Sequence, residues 1–310
     1  MAIFKEFSAE DVKTSRSFLN QLVDILGSDV SASTTRKAYQ VFVTGGVGPG
    51  VTSSLFQTVF DQDFTLQTAN AIFDVTLGVH TGSEVVIDTN PTVDTNGKYI
   101  FPQNTLMMRE KIDIYRLFAQ SLLGSQDSVF TTRQGSTIYE IKEAMFFAFK
   151  RLFSRDQIKR ETFAIRFAPT ASLLISAGDG QNINVPGSGS LILTDINSSA
   201  NKEFSFGGQV STLVDSANTS NTHGLLFLDR GILVLDVSKS FDMARWITGS
   251  IRSVTSTGYQ PNFSGSLKEL MMSASIDDFI DYMCATRFTG SDQTAITFQN
   301  ITNINSSIFF

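Results

Sequence analysis

The residues of this chain that could do chemistry fall into four groups, and each lacks something its chemistry requires. Gly45-Gly46-Val47-Gly48-Pro49-Gly50-Val51-Thr52 follows an apolar, β-branched run and carries the G-x-x-x-x-G spacing of a phosphate-binding loop. Such a loop needs lysine at the next position, where its ammonium reaches the β- and γ-phosphates, and then Ser or Thr for Mg²⁺. Val51 stands at the lysine position, and Pro49 removes one of the backbone N–H groups that hold phosphate. The expectation is a tightly turning glycine loop that binds no nucleotide. Asp195-Ile196-Asn197-Ser198-Ser199-Ala200-Asn201 opens like a calcium loop, but Ala200 stands where the turn needs Gly and Phe206 where the bidentate Glu belongs. A solvated β-turn is expected there.

Asp277, Asp278 and Asp281 cluster on an amphipathic stretch with Cys284 one turn on. Asp277 and Asp281 share a face at i, i+4. No histidine lies near them in sequence to complete a metal site, so a solvated helix face is expected. His223 and Asp229 could join a serine in a relay assembled in space. No G-x-S-x-G elbow supports one. The expectation is no catalytic residue, no cofactor and no metal.

Composition points the same way. The 310 residues include two histidines (His80, His223), one cysteine and one tryptophan, against 27 phenylalanines. Ser and Thr number 67, Asn and Gln 30, and charged residues are 17%. Acid–base, thiol and metal chemistry draw on His and Cys. What this chain offers is neutral hydrogen-bonding surface and aromatic packing, which suits holding shape and holding neighbours. The net charge of −6 argues against a general nucleic-acid binder, which needs a basic field to displace counterions. A single cysteine permits no internal disulfide. The first residues do not read as a signal peptide, and no apolar stretch approaches the roughly 20 residues of a membrane span.

One charged segment stands out. Lys150, Arg151, Arg155, Lys159, Arg160 and Arg166 set six cations against Asp156 and Glu161 within 17 residues, about +4, which leaves about −10 for the rest. Two readings stay open: complementing the C-terminal end of a helix, or meeting an acidic partner surface, which in a self-assembling system could be another subunit. The two ends are the other candidate contacts. Ile3, Phe4 and Phe7 form an aromatic arm before the first cappable helix, and Ile308, Phe309 and Phe310 close the sequence without a polar residue after them. Exposed apolar groups of this size mark interaction surfaces.

The elements that would position these groups are read from periodicity. Residues 8–26 fit a helix with Leu19, Leu22, Val23 and Leu26 on one face and Gly27 after it. Helices are also expected over 105–123, with Met107, Ile114, Leu117, Phe118 and Leu122 on one side and Gly124 to stop it, over 137–153, with Ile141, Ala144, Met145, Ala148 and Leu152 on one side, and over 265–285. Strands are expected at 38–44, 55–60, 70–79, 162–168, 294–299 and 304–310. From about 169 to 241, short β runs alternate with turn residues, as in a β-sandwich, and Asp229-Arg230-Gly231 reads as a tight hairpin. The expected fold class is α+β: a helix-bearing mixed domain with an inserted β-sandwich-like module. The expected divisions are an N-terminal arm and helix over 1–30, an α+β domain over 31–168, a β-rich module over 169–241, and a helix with strands over 242–310 that completes the first domain.

Three stretches resemble a known group. They are Arg109-Glu110-Lys111-Ile112-Asp113-Ile114-Tyr115-Arg116-Leu117-Phe118-Ala119-Gln120-Ser121-Leu122-Leu123-Gly124, then Phe149-Lys150-Arg151-Leu152-Phe153-Ser154-Arg155-Asp156-Gln157-Ile158-Lys159-Arg160, and the closing Thr302-Asn303-Ile304-Asn305-Ser306-Ser307-Ile308-Phe309-Phe310. Together they resemble virion structural proteins of T-even-like contractile-tailed phages of marine bacteria and cyanobacteria, within the group assigned to the tail baseplate. They cover about a tenth of the chain and carry no catalytic motif. The resemblance implies a non-enzymatic structural subunit of the virion tail, made in the host cytoplasm. Its implied partners are other phage tail and baseplate proteins. Self-association stays open, and neither nucleic-acid binding nor membrane insertion is implied. The relatives run on past the position of Phe310, so the chain could be a piece of something longer. The rival expectations are another tail or neck structural protein, and a nucleotide-binding enzyme built on the 45–52 glycine loop.

Overall fold

The computed structural model describes residues 12–25, 36–43, 55–63, 68–86, 92–93, 99–100, 105–175, 182–200, 202–252, 259–288 and 296–309. Six strands come first: β1 (Val12–Ile25), β2 (Arg36–Val43), β3 (Gln57–Asp63), β4 (Thr68–Val79), β5 (Thr92–Val93) and β6 (Tyr99–Ile100). Helix α1 (Leu106–Leu123) follows, then β7 (Phe130–Gln134), β8 (Thr137–Ile141), β9 (Glu143–Phe149), the single turn α2 (Arg151–Ser154), β10 (Gln157–Ile158) and β11 (Ala164–Phe167). The next strands are β12 (Ala171–Ile175), β13 (Asn182–Pro186), β14 (Leu191–Thr194), β15 (Glu203–Ser205), β16 (Gly208–Asp215), β17 (Thr222–Phe227) and β18 (Ile232–Asp236). The last elements are α3 (Val237–Ser240), β19 (Trp246–Arg252), β20 (Tyr259–Ser266), α4 (Leu267–Ser273), α5 (Ile276–Met283), a π-helical turn (Cys284–Phe288) and β21 (Ile296–Phe309).

The molecule is built on one antiparallel sheet of 13 strands, ordered β1-β21-β11-β14-β16-β17-β18-β9-β4-β3-β2, with β10 beside β21 and β15 beside β16. This overturns the α+β expectation: the fold is predominantly β, and its helices are few and mostly short. The segment expected as an inserted β-sandwich-like module supplies β14, β16, β17 and β18, which lie in the middle of the sheet between β11 and β9. Its first two strands join β19 and β20 in a separate four-stranded sheet, so strand pairing crosses both position 169 and position 241.

Two expected helices are strands, for different reasons. Residues 143–149 belong to β9, where alternate side chains enter opposite cores. Met145, Phe147 and Phe149 lie in the core under α4 and α5, while Ala144 and Phe146 pack with Tyr115 of α1. Both faces are buried, so the period of two is hidden in an unbroken apolar run that mimics a helical stripe. Residues 12–25 form β1, paired antiparallel with β21 from Val12↔Phe309 to Ile25↔Ile296. Here long-range pairing overrides a leucine spacing that suits a helix equally well.

Helix α1 lies where it is expected, but of its expected apolar side only Leu122 is buried, while Met107 and Leu117 are 42% and 62% exposed. Thr105 caps it, its side-chain oxygen accepting the N–H of Met108 at 3.2 Å, and Gly124 ends it in the left-handed region with φ 85°. Its face of Met108, Ile112, Tyr115, Ala119 and Leu122 is buried against the sheet. Phe118 stacks on Phe146 at 4.1 Å. Tyr115 donates to the Ile141 carbonyl at 2.6 Å and accepts the Phe130 N–H at 3.1 Å, so its hydroxyl is fully used. The expected 265–285 helix is interrupted. Ser266 and Glu269 form a capping box at the start of α4, Ala274 is extended, and α5 begins afresh after Ser275.

Candidate functional site

The basic stretch lies where β9 leaves the sheet through α2 and returns along β10 and β11. No helix over 137–153 exists for these cations to complement. Lys150, one residue past β9, bonds both oxygens of Asp74 on the neighbouring strand β4 at 2.7 and 2.6 Å, and Thr58 of β3 donates to the same carboxylate at 2.7 Å. Lys159 donates to Gln299 Oε1 at 3.0 Å, tying the return path to β21.

Arg160 makes the most contacts. Its Nη1 donates to the carbonyls of Ser198 and Val210 and to Ser211 Oγ, at 3.0 to 3.2 Å, and its Nε to Gln209 Oε1 at 3.3 Å. Burial lowers its pKa, and the nearby Asp195, Asp229 and Glu161 oppose that shift. These three cations hold the chain's own strands. Arg151 and Arg155 are exposed. Arg151 makes a 3.3 Å pair with Asp156, and Arg155 sits in the left-handed region at φ 55°.

Among the end residues, Ile308 and Phe309 lie on β21 opposite Lys13 and Val12. Ile3, Phe4, Phe7 and Phe310 lie outside the described residues, as does the 45–52 glycine loop. Beyond Ile301, which still bridges Arg155, the described pairing of β21 is with β1 alone. Among the described residues, the stretch from Val12↔Phe309 to Leu19↔Thr302 is thus a two-stranded ribbon.

The remaining sequence candidates become structural parts. Asp195 is fully buried, not solvated. Its carboxylate accepts the N–H groups of Glu161 at 2.8 Å and Phe163 at 3.0 Å and the Ser198 hydroxyl at 3.3 Å. Burial pushes its pKa up while these hydrogen bonds hold it down. Asn197 takes φ 66° in the same turn. His223 is buried, with Nδ1 3.3 Å from Ser240 Oγ, whereas Asp229 accepts the Gln209 N–H at 2.8 Å. The relay is not assembled. Ser275 caps α5, its hydroxyl oxygen accepting the Asp278 N–H at 3.1 Å, and Cys284 is buried. Among the described residues no three His, Cys, Asp or Glu side chains are placed to hold a metal ion.

Sequence reasoning missed a cleft of about 190 Å³ beside α1, lined by His80, Thr81, Tyr115, Arg116, Gln126 and Asp127. His80 Nδ1 accepts the Gly82 N–H at 3.0 Å, so in the neutral ring the proton sits on Nε2. Burial lowers its pKa, and the partial compensation comes first from Glu140. The cleft is smaller than the ~300–1,000 Å³ of small-molecule sites. No spacing motif links residues 80, 115 and 127, so nothing in the sequence could have flagged it.

Also unflagged were large apolar side chains at the surface, chiefly Phe204 and Phe206 near the β15–β16 turn, Leu152 of α2, Trp246 and Ile304. No protein-family model, no curated protein and no solved structure matches this chain.

Proposed function

We propose that this chain is a non-enzymatic structural subunit of a contractile phage tail, working at the baseplate through protein–protein contacts. The observation that carries the reading is the ribbon formed by β1 and the far half of β21. It places Ile308 and Phe309 alongside Val12 and Lys13, in an antiparallel pair that, among the described residues, runs beyond the last strand beside it. An isolated two-stranded ribbon is marginal in water, so such an extension suits a chain that lodges in a neighbour. Support also comes from the ionisable groups described above, most of which serve as internal fasteners. The three stretches resembling baseplate proteins fall on α1, on the end of β9 with α2 and its return path, and on the far half of β21.

Mass spectrometry of purified phage particles tests the class directly, because a virion subunit is present in stoichiometric amount. Deleting residues 1–7 tests the ends. The truncated protein should melt as the full chain does and fail to enter tails. A truncated protein that melts several degrees early as a monomer would assign the N-terminal arm to its own core.

A further inference from the structure

Arg287 is a buried cation whose Nε and Nη1 meet no hydrogen-bond acceptor among the described residues, although the residue is only 1% exposed. It sits in the π-helical turn after α5, a backbone form that recurs at functional sites. Its backbone is pinned, the Arg287 carbonyl accepting the Ala168 N–H at 2.9 Å. The guanidinium lies 5.3 Å from the centre of the Phe241 ring and 6.0 Å from that of Tyr282. Tyr282 is also 1% exposed, and its hydroxyl approaches the guanidinium without the geometry of a hydrogen bond. The Thr286 hydroxyl gives its proton to the Tyr282 carbonyl at 2.7 Å, so it does not occupy that phenol as a donor.

The charges around this guanidinium do not balance it. Burial lowers its pKa, Tyr282 opposes the shift, Arg245 adds to it and Asp242 opposes it least. Arg245 and Asp242 are exposed, on the turn between α3 and β19, and both are engaged nearby. Arg245 Nη2 donates to the Ala171 carbonyl at 3.1 Å, and Asp242 Oδ1 accepts the Ala244 N–H at 3.0 Å. A lysine in such a place would shed its proton, but a guanidinium keeps its charge. A buried charge is costly until an anion pairs with it. The guanidinium N–H groups and the Tyr282 O–H are donors suited to that anion. Walls as buried as these, with Phe241 only 4% exposed, favour a monatomic ion over phosphate or a carboxylate.

We infer that Arg287 and Tyr282 form a halide site, filled by chloride in ordinary salt. The ion would act as a structural fastener. Its ligands sit on the π-helical turn, which holds Ala168 between β11 and β12, beside the α3–β19 turn, which holds Ala171 of β12. This site goes beyond the assembly reading and does not depend on it.

Thermal melting of the full chain in sodium chloride, against sodium gluconate at equal ionic strength, tests it. Gluconate is too large for so enclosed a place. The wild-type midpoint should rise by a few degrees with chloride, along the saturating curve that one-site binding to the folded state requires. Bromide should act as chloride does. Tyr282→Phe keeps the ring, removes the donor and should move the curve to several-fold higher chloride. Arg287→Met should melt alike in the two salts. If Arg287→Met does not fold, Tyr282→Phe decides. Equal wild-type midpoints in both salts, a chloride effect that does not saturate, or one that persists unchanged in either variant would overturn the proposal.

Discussion

Gly78 of β4 and Tyr115 of α1 meet backbone to backbone: a Cβ added to Gly78 would stand 2.9 Å from Tyr115 Cα and 2.7 Å from Phe146 Cε2. The helix lies this close because the strand has no side chain there. Gly78→Ala should therefore push α1 off the sheet and cost about 1–3 kcal/mol, the usual penalty of overpacking. Urea unfolding measures it, and a variant as stable as wild type would show that α1 does not rest on this contact.

Lys111 supplies a pH dependence of unusual sign. Its Nζ donates to the carbonyls of Met271 and Ala274, at the end of α4, from a fully buried position. Burial pulls its pKa down to about 8, with Glu110 and Asp278 opposing. The folded chain thus releases this proton near pH 8, whereas the unfolded chain holds it until the ordinary value of 10.5. Between those limits the unfolded state binds more protons, so this site adds stability as pH rises and withholds it below pH 8. From pH 8 to 9.5 the gain should be up to about 2 kcal/mol. It should be absent from the difference between pH values in Lys111→Met. Equal slopes in the two proteins would place the lysine in contact with water.

Asp195 should behave as a structural residue with a local effect. Replacing it with alanine takes the acceptor from the buried N–H of Phe163 and from the part-buried N–H of Glu161, at roughly 1–3 kcal/mol. Hydrogen exchange should speed up at these two amides before it does so in β9 or β18. Unchanged protection there would mean that the turn is held by Arg160 alone.

The 45–52 loop should bind no nucleotide, because Val51 stands where a phosphate-binding loop has its lysine. Calorimetric titration with ATP and GTP in the presence of Mg²⁺ should give no heat of binding. Micromolar affinity would bring the enzyme reading back.

What could be read from the sequence was whatever is decided locally. Helix α1 shows in its extent and its Gly124 stop, both set within a single stretch, but its buried side does not: apolar residues ring the helix, and the sheet covers Met108, Ile112, Tyr115 and Ala119 while Met107 and Leu117 stay exposed. The β17–β18 hairpin shows in Asp229-Arg230-Gly231, where Gly231 takes φ 64°. Strand β9 does not show, because Phe146 and Phe147 serve different cores and leave no polar face to mark the period. The basic stretch was visible as a cluster, but its division was not. Lys150, Lys159 and Arg160 are satisfied by Asp74, Gln299 and the 195–211 region, all distant in sequence, while Arg151 and Arg155 remain at the surface. The exposure of Phe204 and Phe206 was equally hidden, since a short strand of Glu, Phe and Ser reads the same whether its ring faces core or water.

The pairing of β1 with β21 also sets an order of events during synthesis. Residues 12–25 are synthesised well before residues 296–309, the strand that the described pairing gives them. Contacts of such separation close slowly, and β1 cannot use them until residues 296–309 have been made. Strand β1 thus docks after β9, β17 and β18 have been made. A stall or cleavage before residue 296 would leave β1 with a bare edge while β9, β17 and β18 had already paired, and such an intermediate is the species a chaperone would have to shield.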